Sequence, residues 1–202
     1  HASEDGTSYK SIAAILVHTA PPGGKKSISM VDGMQLGYGQ GFYTDGETDL
    51  SLLMGLPYAA LDGINEDGFA IGVLALKENQ TQQNTGKPRI GTTTAIRMLL
   101  DRASTVKEAV AMLKNYDMNM KGAGNSNYHY FMADATGDYA IVEYTLKRGE
   151  KIPTVMEKLT GNDTLRCVTN FYVSPTMVGT NDGWGSDHGK KRYWTIRNKL
   201  AE

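Results

Sequence analysis

Several features that commonly decide a protein's chemistry are scarce or missing in this chain. Its 202 residues include one cysteine, Cys167, so an internal disulfide framework is excluded, while a lone thiol leaves the compartment open. No apolar run approaches the ~18 residues of a membrane-spanning helix, so no membrane partner is expected. The net charge is −1, with no excess of either sign to attract a polyanion, so nucleic acid is not expected as a partner either. There is no His-Glu-x-x-His, no Cys-x-x-Cys and no Gly-x-Ser-x-Gly, and no set of residues that points to a metal or a cofactor. What is present is hydrophobic content of 40%, with 23 Gly and 11 Tyr, which suits one domain with a substantial core, many turns and much sheet.

Hydrophobic periodicity divides the chain. Ser11–Thr19 reads as an apolar strand, and Pro21-Pro22-Gly23-Gly24 breaks it. Lys26–Val31 alternates, with Ile28 and Met30 on one side and Ser27 and Ser29 on the other, as in an antiparallel partner strand. A short strand near Gln35–Tyr38 is expected next, then loop. Pro57–Leu76 reads as strand, turn, strand, with Gly68 supplying the left-handed position after Asn65-Glu66-Asp67. Phe69–Leu76 has no polar residue, which predicts a central strand covered on both faces.

The period then changes. Thr92–Ala103 carries Ile96, Leu99 and Leu100 at helical spacing. Thr105-Val106-Lys107-Glu108 is a capping box that opens a second helix with the stripe Val106, Ala109, Val110, Leu113. Asn115–Asn127 reads as loop. Tyr128–Ala133 and Tyr139–Leu146 form a hairpin around Gly137, Lys151–Asp163 shows no clear pattern, Leu165–Val173 reads as a strand, and a last helix starts near Gly189. Strands, two helices, strands, helix is an α+β order with antiparallel sheet, not the alternation of a doubly wound fold. One domain over residues 1–202, cut at both ends, is expected.

The remaining local signals are bland. Gly37-Tyr38-Gly39-Gln40-Gly41 is followed by no amphipathic helix, so it reads as a turn or bulge and not as a dinucleotide loop; Gly24-Lys25-Lys26-Ser27 lacks the spacing of a phosphate loop. His1, His18, His129 and His188 are dispersed and read as structural or surface residues. Asp62, Glu66 and Asp67 could form an acid/base group, but turn-forming and solvated roles are favoured. Cys167, inside an apolar stretch, reads as a buried, inert thiol.

Taken together and in order, several segments resemble the choloylglycine hydrolase family, which includes bile salt hydrolases and penicillin V acylases. They are Leu16-Val17-His18-Thr19 with Lys26–Asp32; Pro57-Tyr58 with Asp62-Gly63-Ile64-Asn65-Glu66-Asp67-Gly68; Asn127–Asp134 with Gly137 and Val142-Glu143; and Val168-Thr169-Asn170. The resemblance implies an N-terminal-nucleophile (Ntn) hydrolase fold, a four-layer αββα sandwich of two antiparallel sheets between helical layers. It also implies cleavage of a linear amide through an acyl-thioester on an N-terminal cysteine, whose own α-amine is the base. Of the family's site residues, Asn170 matches a side-chain oxyanion donor at a strand end, Ala75 a backbone N–H donor, and Arg192 an arginine early in a later helix.

The match is partial. Residue one is His1, and the nucleophile and the Arg and Asp that follow it in the family have no counterpart, so the resemblance places the cysteine roughly two dozen residues upstream. The fragment itself is then expected to be inactive. A small-molecule amide is the implied partner. A homo-oligomer is compatible with the sequence, but the family's tetramer is not carried over, because the stretch between Asn170 and Arg192 is short. Gly33–Gly55 and Phe171–His188, with Tyr38, Tyr43, Tyr172 and Trp184, are candidate pocket loops. Two other readings stay open: a non-catalytic binding domain of the same fold, and an acyltransferase of the isopenicillin type.

Overall fold

A computed structural model describes residues 14–32, 54–76, 80–120, 127–159, 167–177 and 188–201. The expected strand at Gln35–Tyr38 lies outside them, as do Tyr43 and Trp184. The strands are β1 (Ala14–Thr19), β2 (Ser27–Asp32), β3 (Ala60–Asn65), β4 (Ala70–Leu76), β5 (Arg89–Ile90), β6 (Asp117–Met118), β7 (Asn127–Ala133), β8 (Tyr139–Thr145) and β9 (Val155–Leu159). The helices are α1 (Thr92–Arg102), α2 (Val106–Leu113) and α3 (His188–Ala201). Seven strands form one sheet in the order β1-β2-β3-β4-β7-β8-β9, antiparallel throughout, so β4 is central as its apolar run implies. The fold is α+β.

Helices α1 and α2 cover one face. The stripe of α2 is buried with Ile96, Leu99 and Leu100 of α1 against Ile71, Tyr130, Met132, Val142 and Tyr144 of the sheet. The first turn of α2 is capped as the capping box requires, with one change. Thr105 accepts from Glu108 N, but the Glu108 carboxylate reaches back to Ser104 N, at 2.8 Å, one residue earlier than in the reciprocal box. Burial pushes the hydroxyls of Tyr130 and Tyr144 in this core to higher pKa, that of Tyr144 to well above the usual phenol.

The alternation of β2 is inverted relative to a simple apolar-in pattern. Ser27 and Ser29 face the helices and are buried, while Ile28 is 41% exposed. Arg97, itself buried in α1, explains Ser27: its guanidinium donates to Ser27 Oγ at 2.6 Å and to Asp101 at 2.5 Å. The opposite face of β1–β4 presents Leu16, Ile28 and Ile64 to solvent among the described residues, so on that side of Phe69–Leu76 Ala70, Gly72 and Leu74 are only half-buried, while Leu76 is fully buried against Tyr172 and Met177. Of the four expected layers, the described residues contain a large antiparallel sheet and a helical layer against it.

The hairpin β3–β4 is pinned by its own motif. Asn65, 5% exposed, donates through Nδ2 to Leu100 O (3.0 Å) and Ala103 O (2.7 Å), and its Oδ1 accepts from Asp67 N and Phe69 N (3.1 Å each). Glu66 accepts from Lys26 N, and Asp67 pairs with Lys25 and accepts from Ser104 Oγ. The Lys25 ammonium, then the Ser104 hydroxyl, hold the Asp67 carboxyl below its ordinary range, and Lys25 is raised in return. Gly68 has φ +81°, and a Cβ on Gly63 would lie 2.7 Å from Ile28 O and from Leu100 Cδ1. The turn roles favoured for Glu66 and Asp67 therefore hold.

Three stretches differ from expectation. Lys151–Asp163 contains β9, paired with β8 from Ile141↔Leu159 to Thr145↔Val155. The expected loop at Asn115–Asn127 contains β6, which pairs in parallel with β5. The described part of Leu165–Val173, from Cys167 onward, is not a strand. Its amides find partners other than a strand: Phe171 N donates to Thr169 O, and Val173 N, with the following Ser174 N, donates to Glu143.

Candidate active site

The site forms where β4 loses a neighbour. β3 and β4 pair only across Ile64↔Ala70, Gly63↔Ile71 and Asp62↔Gly72. β2 shifts register against β3 between Met30 and Val31, next to Asp62, where the β3–β4 pairing also ends. Beyond Gly72, among the described residues, β4 continues against β7 alone, to Ala75↔Tyr128 and Leu76↔Asn127. One edge of the end of β4 is therefore released from the sheet.

Asn170 meets that edge. It sits at the apex of a three-residue turn closed by Phe171 N to Thr169 O at 2.9 Å. Its Nδ2 donates to Ala75 O at 2.8 Å, and its Oδ1 accepts from Arg192 Nη2 at 2.6 Å. A guanidinium can only donate and a carbonyl can only accept, so the two contacts fix which end of the amide is which. One hydrogen of Nδ2 is used on Ala75 O and a second is left to donate. Within an antiparallel strand a residue's N–H and C=O point to the same edge, so the Ala75 N–H shares the edge that Asn170 approaches. The three residues singled out in the sequence, Ala75, Asn170 and Arg192, thus lie in one corner. Asn170 departs from expectation in standing on an irregular turn and not at a strand end.

The turn is held from both sides. On one side, Thr169 Oγ1 donates to Gly189 O at 2.7 Å, and a Cβ on Gly189 would come within 3.0 Å of Asn170 O, so the first turn of α3 sits directly on the Asn170 backbone. Phe171 and Tyr193 meet edge to face at 5.4 Å, adding an aromatic contact between the turn and α3. On the other side, the segment after Asn170 rests on the face of β7–β9 that the helices leave free. Tyr172 Oη accepts from Asn127 Nδ2 at 2.6 Å, and Asn127 Oδ1 accepts from Thr81 Oγ1 at 2.7 Å. Glu157 accepts from Ser174 Oγ (2.5 Å), Thr145 Oγ1 (2.7 Å) and Thr176 Oγ1 (2.9 Å). Burial pushes the Glu157 carboxyl up, but those three hydroxyls outweigh it and leave the group below its ordinary range.

Cys167 lies three residues before Asn170, half-buried, with Sγ 4.0 Å from Tyr193 O. It is not in an apolar strand as the sequence suggested. Of the histidines, His18 is exposed at the end of β1 and His129 is fully buried in β7. Among the described residues no three His, Cys, Asp or Glu side chains are grouped so as to hold a metal ion, and no helix is long and apolar enough to cross a membrane. Sequence reasoning missed the anchors of the turn, Asn127, Glu143 and Glu157. The available signal was a carboxylate, Glu143, in the middle of the apolar run Ala140-Ile141-Val142-Glu143-Tyr144.

A family model described as acyl-coenzyme A:6-aminopenicillanic acid acyl-transferase matches residues 53–201, well over half of the chain and including all three residues of the corner. Penicillin V acylase from Pectobacterium atrosepticum is 33% identical over 92 residues, covering 41% of this chain and 24% of that protein. The chain thus spans about a quarter of that curated relative. Among solved structures, penicillin V acylase from Agrobacterium tumefaciens is 21% identical with a TM-score of 0.43, over 66% of this chain and 33% of that one. A variant of conjugated bile acid hydrolase from Clostridium perfringens is 19% identical with a TM-score of 0.46, over 75% of this chain and 39% of that one.

Proposed function

The chain belongs to the acyl-coenzyme A:6-aminopenicillanic acid acyl-transferase family, and from that membership we propose that it forms the oxyanion side of a cysteine amidohydrolase acting on linear amides. The thiolate of an N-terminal cysteine outside residues 1–202 adds to the amide carbonyl carbon, with its α-amine taking and returning the proton. The C–N bond breaks, the amine leaves with that proton, and water cleaves the acyl-thioester to the acid and the free thiol. Asn170 Nδ2 and the Ala75 N–H hold the oxyanion of each tetrahedral intermediate. Arg192 acts on Asn170: by taking Oδ1 it keeps Nδ2 turned toward the reacting oxygen.

One observation carries the reading, the convergence of Asn170, Ala75 and Arg192 at the released edge of β4. Two donors at one edge, one from a side chain and one from a strand, are what a developing alkoxide requires. The family's description favours one second reading, in which an amine and not water takes the acyl group. The two readings share every residue named here and differ only in what reaches the thioester.

The test uses the full-length protein that carries this chain. It is incubated with penicillin V and with glycine- and taurine-conjugated bile acids and amine release is followed, the bile acid conjugates both with and without 6-aminopenicillanic acid as acceptor. Hydrolysis gives the free acid in both arms; transfer gives a new amide only with the acceptor. Asn170→Ala is expected to lower kcat by about 10²–10³-fold. A fall of less than about threefold would remove Asn170 from the oxyanion site.

A further inference from the structure

Glu143 is fully buried in β8, on the face away from the helices, in a strand that is otherwise almost wholly apolar. A buried carboxylate is costly and is kept only where donors compensate it. Here there are three: His129 Nδ1 and Val173 N to Oε1, and Ser174 N to Oε2, each at 2.9 Å. His129, also fully buried, comes from the neighbouring strand β7; its Nε2 has no partner among the described residues, so its one polar contact is this carboxylate. The other two donors are consecutive backbone amides that begin three residues after Asn170 and belong to no strand. The carboxylate therefore ties the sheet to the irregular segment that carries Asn170.

We infer that Glu143 is the positioning residue of the oxyanion donor, setting the height of the Asn170 turn over the end of β4 by holding the amides of Val173 and Ser174. The inference rests on the proposed role of Asn170. An oxyanion donor acts only within about 0.5 Å of its proper place. The turn before Asn170 is fixed by Thr169 on Gly189, and the turn after it by Glu143. Glutamine is the same shape but cannot accept at both ends: its NH₂ must face either Ser174 N–H or the pair from Val173 and His129. Glu143→Gln thus frees at least one backbone anchor without removing volume.

The experiment is a cycle of Glu143→Gln, Asn170→Ala and the double variant in the full-length protein, with kcat and KM measured on an amide that the wild type cleaves. Glu143→Gln is expected to lower kcat by about 10–100-fold, the effect of a donor displaced by a fraction of an ångström to 1 Å, with KM within about threefold. Because Glu143 acts through Asn170, the double variant is expected to match Asn170→Ala within about threefold. Losses that multiply in the double variant, or an unchanged kcat in Glu143→Gln, would overturn the inference and leave the role of Asn170 standing. A harmless Asn170→Ala would overturn that role instead. Backbone hydrogen exchange decides the positional claim without activity. In Glu143→Gln, exchange is expected to rise across residues 167–177 and to stay unchanged in β3–β4 and α1. No rise there, or a uniform rise everywhere, refutes it. Should Glu143→Gln fail to fold, Glu143→Asp keeps the charge and withdraws it by one methylene, and is expected to show the same localised rise.

Discussion

Asn65 offers a sharp test of how the hairpin is built, because every hydrogen-bonding site of its side chain is used. Nδ2 serves the carbonyls of Leu100 and Ala103 at the end of α1, and Oδ1 serves the amides of Asp67 and Phe69 within the turn. At about 1 kcal/mol net per bond, Asn65→Ala loses about 4 kcal/mol, with a larger loss wherever an orphaned group stays dry. Asn65→Asp separates the two halves. It keeps the two acceptor bonds and forfeits the two donor bonds, about 2 kcal/mol, and at neutral pH it turns a carboxylate toward two carbonyl oxygens. That environment favours the protonated acid, so the folded-state pKa of Asp at this position lies above the unfolded one. Stability of the variant is then greatest at low pH and declines as pH rises through the unfolded value toward the folded one, by at most about 1.4 kcal/mol per pH unit. Urea denaturation of wild type, Asn65→Ala and Asn65→Asp at several pH values measures all of this. An Asn65→Asp protein within about 0.5 kcal/mol of wild type at pH 7 would refute the assignment of Nδ2 to the helix carbonyls.

Two further substitutions probe the frame around the site. Gly63→Ala forces a methyl to within 2.7 Å of Ile28 O and Leu100 Cδ1, and is expected to cost about 2 kcal/mol by thermal or urea unfolding; a neutral change would mean that α1 can slide off β3. Glu157, held below its ordinary pKa by the hydroxyls of Ser174, Thr145 and Thr176 against the upward push of burial, lends stability that is present above its unfolded value and lost as pH falls through the folded one. Acid titration of unfolding midpoints should therefore show Glu157→Gln less stable than wild type near neutrality and the two converging below about pH 4, whereas a constant gap would deny the linkage.

The sequence made the helical layer and most of the sheet legible. The stripe of α2, the apolar face of α1 and the hairpins at Gly68 and Gly137 are local patterns with local causes, and each formed where expected. The family resemblance was legible too, since penicillin V acylase is among the relatives of the chain. Asp62–Gly68, one of the stretches that carry the resemblance, proved to be architecture, with Asn65 as its pin. Where periodicity misled, side chains had taken over the work of a neighbouring strand. Cys167–Val173 is as apolar as a strand, yet its Val173 amide goes to the Glu143 carboxylate and its Phe171 amide to a tight turn. Ser27 of β2 faces inward, where Arg97, 70 residues away, reaches it.

What the sequence alone determined was the period of each helix and of most strands, and the buried stripes of α1 and α2, because burial preference is a property of each side chain and its near neighbours. What only the tertiary structure decided was which polar groups meet. Asn170 and Ala75 are 95 residues apart, and Arg192 lies a further 22 beyond Asn170. Their corner exists because β3 leaves β4 after Gly72 and because α3 presses Gly189 onto the Asn170 turn. A hydrogen bond is short and directional, so its partner is chosen by where the whole chain has placed the donor, and no local pattern encodes that placement.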